Sequence, residues 1–247
     1  MDIPVNWFID WFGSPYYHQL YFNSNDSEAG IFITRLVDYL HPPEDSFLMD
    51  AGCGKGRHAI LLASYGFDVT GVDPSFENVD EAKKYETDKL HFFQHDMRLP
   101  FWMNYFNYTF NLFANFGFYK TKREHANAIR TIANSLKPDG ILVSDYLNVQ
   151  YTENRLVHTE DKKVDGVNFH LTRWYDETHF YKKITVNDER LKEPLVFHEK
   201  IAKFTLGDFN DMFTSHKLQI QEVFGDYQLQ GYNINTSPRM IMVARKI

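Results

Sequence analysis

The feature that most constrains this chain is an apolar run that ends in an acid and opens at once into three glycines at alternate positions. Residues 47–58 read FLMDAGCGKGRH, with glycines at 52, 54 and 56. The pattern predicts a strand, a tight turn and the start of a helix. Glycine tolerates left-handed backbone angles and lets a loop lie against a ligand without a Cβ in the way. The free N–H groups and positive dipole end of the helix suit a nucleotide-like ligand.

Two further acids follow the next two predicted strands. Asp73 ends the run 68–73 about 20 residues beyond the loop, where it can accept both hydroxyls of a ribose. Asp96 follows a third run, 90–95. The usual NAD fingerprint is G-x-G-x-x-G, whereas this loop reads G-x-G-x-G and is preceded by Asp50. A carboxylate there repels a pyrophosphate and suits a cationic amino-acid end, so the pattern indicates S-adenosylmethionine.

The chain resembles the class I S-adenosylmethionine-dependent methyltransferases. Motifs that match the family's own, in the family's order, lie at 50–56, 72–75, 94–98, 111–117 and 136–142. The segment PYYHQLY at 15–21 is similar to the N-terminus of a bacterial subgroup of small-molecule methyltransferases. The resemblance covers residues 30–150 and 204–247. It is specific because the motifs fall in the right order, and no single motif would suffice.

The resemblance implies a role for each candidate cofactor-binding residue. The three glycines pass under the methionine part, while Asp50 lies close to it and orients the loop or the ammonium. Asp73 holds the ribose hydroxyls. Asp96 accepts from the adenine amino group, and the Met97 N–H donates to the ring. The candidates are Tyr17, Asp50, Gly52, Gly54, Gly56, Asp73, Asp96, Met97 and Asn111.

Some of these roles leave alternatives open. Asn111 is either a floor residue of the cofactor pocket or a structural side chain that bonds the loop backbone. Asn111 and Asn115 stand where amide-using methyltransferases carry Asn or Asp with Pro-Pro-Tyr, and the difference weighs against DNA or protein-amide methylation. Tyr17 is expected to fold over the cofactor. His18 is either a base or a structural histidine, so no catalytic residue is assigned.

The order of elements predicts the fold. Strands alternate with helices between residues 47 and 146, which predicts a parallel sheet with right-handed crossovers. Alternating side chains then predict about three antiparallel strands, at 167–175, 180–186 and 196–204. Turns are expected at 161–166 and 176–179, a helix at 205–215 and final strands at 218–224 and 238–245. The predicted fold class is α/β, a Rossmann-like seven-stranded methyltransferase sheet with helices on both faces plus an antiparallel insert.

Three regions follow from this order. We expect an N-terminal helical cover at 1–40, a cofactor-binding methyltransferase domain at 41–150 and 204–247, and a substrate-covering insert at 151–203. Parallel α/β sheets bind ligands outside the carboxyl ends of their strands, and the glycine loop, Asp73 and Asp96 all follow such ends.

The composition of the chain limits the kinds of partner that we expect. The net charge is −7 and Lys and Arg form no block, which argues against nucleic acid as the main partner. Cys53 is the single cysteine, so no internal disulfide is possible. The three histidines of the insert lack metal-ligand spacing, so no metal is expected. The sequence shows no signal peptide or apolar span, so we expect a cytoplasmic protein, monomeric or homodimeric, without a membrane partner.

These observations predict an enzyme that transfers a methyl group from S-adenosylmethionine to nitrogen or oxygen of a small molecule. Three alternatives stay open. One is a catalytically silent module that binds an adenosyl ligand, and another is an RNA or protein methyltransferase. The third, an NAD-dependent oxidoreductase, would need a G-x-G-x-x-G loop that the chain lacks.

Overall fold

The computed structural model describes residues 3–22, 26–113 and 116–247. The chain begins with three helices: α1 (Trp7–Phe12), α2 (Pro15–Phe22) and α3 (Asp26–Leu40). α1 buries Trp7, Phe8 and Trp11 on one face, as their spacing predicts. Residues 13–15 read GSP, a sequence that separates α1 from α2, and α2 begins at Pro15. Pro15 suits the first position of a helix, and the Ser14 hydroxyl accepts the N–H of Tyr16 at 3.2 Å.

Eleven strands follow within the described residues, and they form two sheets. In chain order they are β1 (Phe47–Ala51), β2 (Asp68–Asp73), β3 (Leu90–Gln94), β4 (Phe106–Asn111), β5 (Leu136–Leu147), β6 (Thr159–Val164), β7 (Val167–Tyr175), β8 (His179–Asn187), β9 (Leu195–Ala202), β10 (Leu218–Phe224) and β11 (Arg239–Lys246). The seven-stranded sheet has the order β10-β11-β5-β4-β1-β2-β3, and the four-stranded sheet has the order β6-β7-β8-β9.

The main sheet confirms the predicted fold class. β1 to β5 are mutually parallel, while β11 is antiparallel to both of its neighbours. The remaining helices are α4 (Arg57–Ser64), α5 (Phe76–Ala82), α6 (Lys122–Ser135), α7 (Val149–Asn154) and α8 (Leu206–Thr214). α3, α4 and α5 pack on one side of the sheet, and α6 and α8 pack on the other. Capping boxes begin α6 at Thr121 and α8 at Thr205.

The insert differs from its prediction in one strand. Residues 161–166 were expected to form a turn, but β6 extends to Val164 and only Asp165 and Gly166 turn the chain. Both have positive φ, +47° and +84°, as a two-residue hairpin requires. β6 reads TEDKKV and lies at the edge of its sheet. Edge strands carry charges on both faces, which hides the alternation that identifies a half-buried strand.

The sheets share one core. The inner face of the insert buries Phe169, Leu171, Ile184 and Val186 in the same hydrophobic cluster as Trp11 of α1. The insert and the N-terminal helices therefore pack against each other above the main sheet. Among the described residues, no helix is long and apolar enough to cross a membrane.

Candidate functional site

A cavity of about 470 Å³ lies at the carboxyl ends of β1, β2 and β4. Chain order reverses between β1 and β4, which is where open α/β sheets bind ligands, and the volume falls in the range of small-molecule sites. The main sheet, the N-terminal helices and the insert all contribute to its wall. The lining residues are Phe12, Pro15, Tyr17, His18, Gln19, Gly52, Cys53, Gly54, Lys55, Arg57, His58, Asp73, Asn78, Leu112, Phe113 and Asp165.

The glycine loop forms one wall because its backbone takes conformations that other residues avoid. Gly52, Gly54 and Gly56 have φ of +83°, +53° and +86°. A Cβ on Gly54 would meet no atom within 4 Å. A Cβ on Gly56 would lie 2.6 Å from Cζ of Phe92, so Gly56 serves packing beneath the loop and does not line the cavity.

Asp73 lies on the wall at the end of β2 and is almost fully buried. Its Oδ2 accepts the N–H of Gly54 at 3.0 Å, and its Oδ1 accepts the N–H of Ser75 at 2.9 Å and the side-chain amide of Asn78 at 3.4 Å. Burial raises the pKa of Asp73, and the N–H donors act in the opposite direction. A carboxylate accepts about four hydrogen bonds, so Asp73 retains capacity for a ligand hydroxyl.

Asp50 is sealed behind the glycine loop and does not line the cavity. It accepts the backbone N–H of Ala59 in the first turn of α4, so it holds the loop to the helix. Its Oδ2 has no hydrogen-bond partner within the part of the chain that the structure describes. Burial, opposed by the Ala59 bond, raises the pKa of Asp50 to about 7.

The N-terminal helices close the cavity through Asn78 of α5. His18 donates from Nε2 to Oδ1 of Asn78 at 3.0 Å, and the Asn78 amide donates to the Phe12 carbonyl at 3.3 Å. The same amide contacts Asp73, so the cover is joined directly to the wall carboxylate. Tyr17 lines the cavity, and its ring packs on Trp11 and Phe12. Burial lowers the pKa of His18 to about 4.

A second group of wall residues was not identified from the sequence. His58 is stacked on Phe113 with ring centroids 4.9 Å apart and planes at 11°, and the Arg57 guanidinium lies 5.2 Å from the same ring. Burial lowers the pKa of His58 to about 3. The Phe113 N–H donates to Asp145 at 2.8 Å, and Asp145 is itself held by Arg239. No spacing in the sequence links β4 to β5 and β11, so no sequence signal could have found this group.

The predicted adenine region is narrow. Met97 lines a pocket of about 20 Å³ with Gly52 and Asp73, and Phe8 and Phe12 of α1 close it. That volume holds about one water molecule.

Asp96 lies outside both the cavity and the narrow pocket. Its two carboxylate oxygens accept the Arg98 side chain at 2.6 to 3.1 Å. Arg98 also lies over the ring of Tyr119 at 4.8 Å. The predicted contact of Asp96 with adenine therefore has no counterpart on the wall, and it stays a prediction.

Asn111 is buried at the end of β4, where its amide donates to the Ala51 carbonyl at 2.9 Å. It joins the ends of β1 and β4 below the glycine loop and does not line the cavity, and its role toward a cofactor stays a prediction. Asn115 lies outside the described residues.

A family model and two curated relatives that match this chain are all described as methyltransferases. The family model described as a methyltransferase domain matches residues 25–222. YqeM of Bacillus subtilis, described as a methyltransferase, is 33% identical over 106 residues, which is 42% of this chain and 43% of YqeM. A dTDP-3-amino-3,4,6-trideoxy-alpha-D-glucopyranose N,N-dimethyltransferase of Streptomyces venezuelae is 32% identical over 102 residues, which is 41% of this chain and 42% of the relative. The matches thus span less than half the length of these curated relatives.

The fold is shared with a solved structure. An S-adenosylmethionine-dependent methyltransferase from Clostridium acetobutylicum superposes with a TM-score of 0.78 at 14% identity, over 93% of this chain and 95% of that one. At that identity the likeness concerns the fold alone.

Proposed function

The chain belongs to the methyltransferase-domain family, whose cofactor is S-adenosylmethionine, and on that premise we propose that it transfers a methyl group to nitrogen or oxygen of a small molecule. The observation that carries the proposal is the cavity at the carboxyl ends of β1, β2 and β4, with Asp73 and the glycine loop on its wall. The amino-sugar methyltransferase among the relatives supports a small-molecule acceptor.

The residues on the wall fit the cofactor. Gly54 leaves open space where any other side chain would stand, and Asp73 keeps acceptor capacity for ribose hydroxyls. We assign the direct contacts to Tyr17, Gly52, Gly54 and Asp73, which line the cavity, and to Met97, which lines the adjoining pocket. The remaining candidates support the loop and the strand ends from behind: Asp50, Gly56, Asp96 and Asn111.

When bound, the cofactor supplies a methyl group on a sulfonium, and the residues of the chain position and enclose it. Methyl transfer would be a displacement at that methyl carbon, with the sulfur as the leaving group. Such a displacement depends on position and on exclusion of water. The two wall histidines have pKa values lowered to about 4 and about 3, so both are neutral and weak bases near pH 7. This favours an acceptor that is nucleophilic without prior deprotonation, and therefore a neutral amine nitrogen over a hydroxyl, which needs a base to remove its proton.

The insert and the N-terminal helices take the part of a cover in this proposal. They pack on each other through Trp11, whose indole N–H donates to Glu199 at 2.8 Å. Both reach the cavity wall, the helices through Tyr17 and the insert through Asp165. We assign residues 1–40 and 151–203 to enclosing the acceptor, with Tyr17 also contacting the cofactor, and 41–150 with 204–247 to binding the cofactor.

Calorimetric titration with S-adenosylmethionine, S-adenosylhomocysteine and NAD tests the cofactor assignment. We expect the wild type to bind both adenosyl ligands and not NAD. Asp73→Ala should lose the binding, because it removes the ribose acceptor. Asp68→Ala is the matched control, since Asp68 lies at the other end of β2 and away from the cavity. Wild-type protein that is folded and binds neither adenosyl ligand would refute the proposal.

Turnover separates an enzyme from a silent binding module. Formation of S-adenosylhomocysteine is measured with a mixed set of amine acceptors and their hydroxyl counterparts. We expect product with amines. Cofactor binding without turnover on any acceptor would favour the silent module.

A further inference from the structure

We propose that Asp165, at the tip of the β6–β7 hairpin of the insert, binds the ammonium group at the amino-acid end of the cofactor. This inference rests on the proposed function. It assigns to the insert a contact with the cofactor as well as with the acceptor.

The other carboxylates near the glycine loop have different roles. Asp50 was expected to orient either the glycine loop or the ammonium, but it is sealed behind the loop and does not reach the wall. Asp73 already accepts three hydrogen bonds and is assigned to the ribose. Of the described residues that line the cavity, Asp165 is the one other carboxylate.

The tip of the β6–β7 hairpin is a tight turn that is bonded to α2 and packed on the core. Val164 pairs with Val167, so only Asp165 and Gly166 form the turn. Their φ values of +47° and +84° are those of a tight hairpin turn. The side-chain amide of Gln19 donates to the Val164 carbonyl at 2.7 Å, and Val167 is fully enclosed in the core. These contacts fix the backbone on both sides of Asp165, so the turn itself needs little ordering when a ligand binds.

The charged side chains on the cavity wall match both ends of a zwitterion. The cofactor's amino-acid end carries one ammonium and one carboxylate. Lys55 and Arg57 line the same cavity as Asp165, so the wall offers cations and an anion to a zwitterion. An ammonium that is partly removed from water is stabilised by a charge-assisted hydrogen bond to a carboxylate. Without Asp165, the wall beyond Asp73 would present cations alone.

The test compares two ligands that differ only at the amino-acid end. S-adenosylhomocysteine carries the zwitterion, whereas 5′-methylthioadenosine keeps the adenosine and the thioether and lacks it. Both are titrated by calorimetry into the wild type, Asp165→Asn and Asp161→Asn. Asp161 lies on the same hairpin, is exposed and is absent from the wall, so it is the matched control for loss of charge.

We expect Asp165→Asn to weaken S-adenosylhomocysteine about five- to twentyfold, as loss of a charge-assisted hydrogen bond does. It should leave 5′-methylthioadenosine unchanged, and Asp161→Asn should leave both unchanged. Equal weakening of the two ligands, or unchanged binding of both, would overturn the inference. A variant that binds S-adenosylhomocysteine normally yet loses turnover on amines would also overturn it and assign Asp165 to the acceptor. Failure of the wild type to bind either ligand would refute the cofactor assignment itself.

Discussion

Asp50→Asn tests the most unusual electrostatic feature of the molecule, a buried carboxyl with one oxygen that has no hydrogen-bond partner among the described residues. The substitution keeps the shape of the side chain and the carbonyl oxygen that accepts the Ala59 N–H. It removes the ionisation. The new amide N–H₂ lacks a partner at every pH, so its cost is constant and cancels when two pH values are compared.

The magnitude follows from linkage. Burial raises the pKa of Asp50 from 3.8 to about 7, so the unfolded chain releases this proton at lower pH than the folded protein does. The carboxyl therefore reduces the free energy of unfolding progressively as pH rises from about 4 to about 7, and the reduction is constant above that. At about 1.4 kcal/mol per pKa unit, it grows by roughly 2 to 3 kcal/mol between pH 5 and pH 8. The variant lacks this penalty.

The assay is thermal unfolding of both proteins at pH 5 and at pH 8 without ligand. For a protein of this size, each kcal/mol moves Tm by about 2 to 4 °C. The Tm of the variant relative to the wild type should therefore rise by about 5 to 10 °C between the two pH values. A difference that stays constant between pH 5 and pH 8 would show that Asp50 ionises normally in the folded protein, and the reasoning would fail.

Three further outcomes are expected. Gly56→Ala should lower the free energy of unfolding in urea by about 2 to 4 kcal/mol, because the new Cβ would collide with the ring of Phe92. Gly66→Ala is the control: it also has positive φ, but open space surrounds its Cβ, so it should cost only about 1 kcal/mol. Glu199→Gln should lower the free energy of unfolding by about 2 kcal/mol in thermal unfolding, because it removes the carboxylate that lies 2.7 Å from the ammonium of the largely buried Lys182. Adding Lys182→Met to that variant should recover part of the lost stability. S-adenosylhomocysteine should change the tryptophan fluorescence of α1, because the narrow pocket beside it admits one water and must open for adenine; unchanged emission at saturation would contradict this.

Much of the main sheet could be predicted from the sequence because its local signals agree. The run before the glycine loop, the acid at Asp73 and the alternation of strands with helices each indicate the same parallel sheet. The observed strands depart from the prediction at β6, which was expected to be a turn, and at the start of β5, which was expected at residue 140, and both departures have local reasons. β6 is a charged edge strand with little burial on either face. β5 begins at Leu136, ahead of its apolar run, because Asp139 takes a φ of +61° that lets the chain bulge and continue.

The candidate site was predictable only in part, because a motif gives the position of a residue in the chain and not the direction of its side chain. Asp73 and the first two glycines lie on the wall, as the resemblance implies. Asp96 does not, because Arg98 two residues away offers a guanidinium that occupies both carboxylate oxygens. Asp50 turns away from the cavity because the first turn of α4 supplies a backbone donor behind the loop.

No local sequence pattern predicts the hydrogen bonds that join the main sheet, α2 and the insert. Asn78 joins Asp73 of the main sheet to His18 of α2, and Gln19, the next residue of α2, is bonded to the backbone of the insert hairpin. One short helix thus contacts both the residue assigned to the ribose and the segment that carries Asp165. These contacts span up to 145 residues, so no local pattern could predict them, and we expect a ligand bound at Asp73 to stabilise the cover and the insert as well. If the cover and the insert enclose the acceptor, as we propose, the assembled cavity selects the acceptor, and the motifs that identify the family do not.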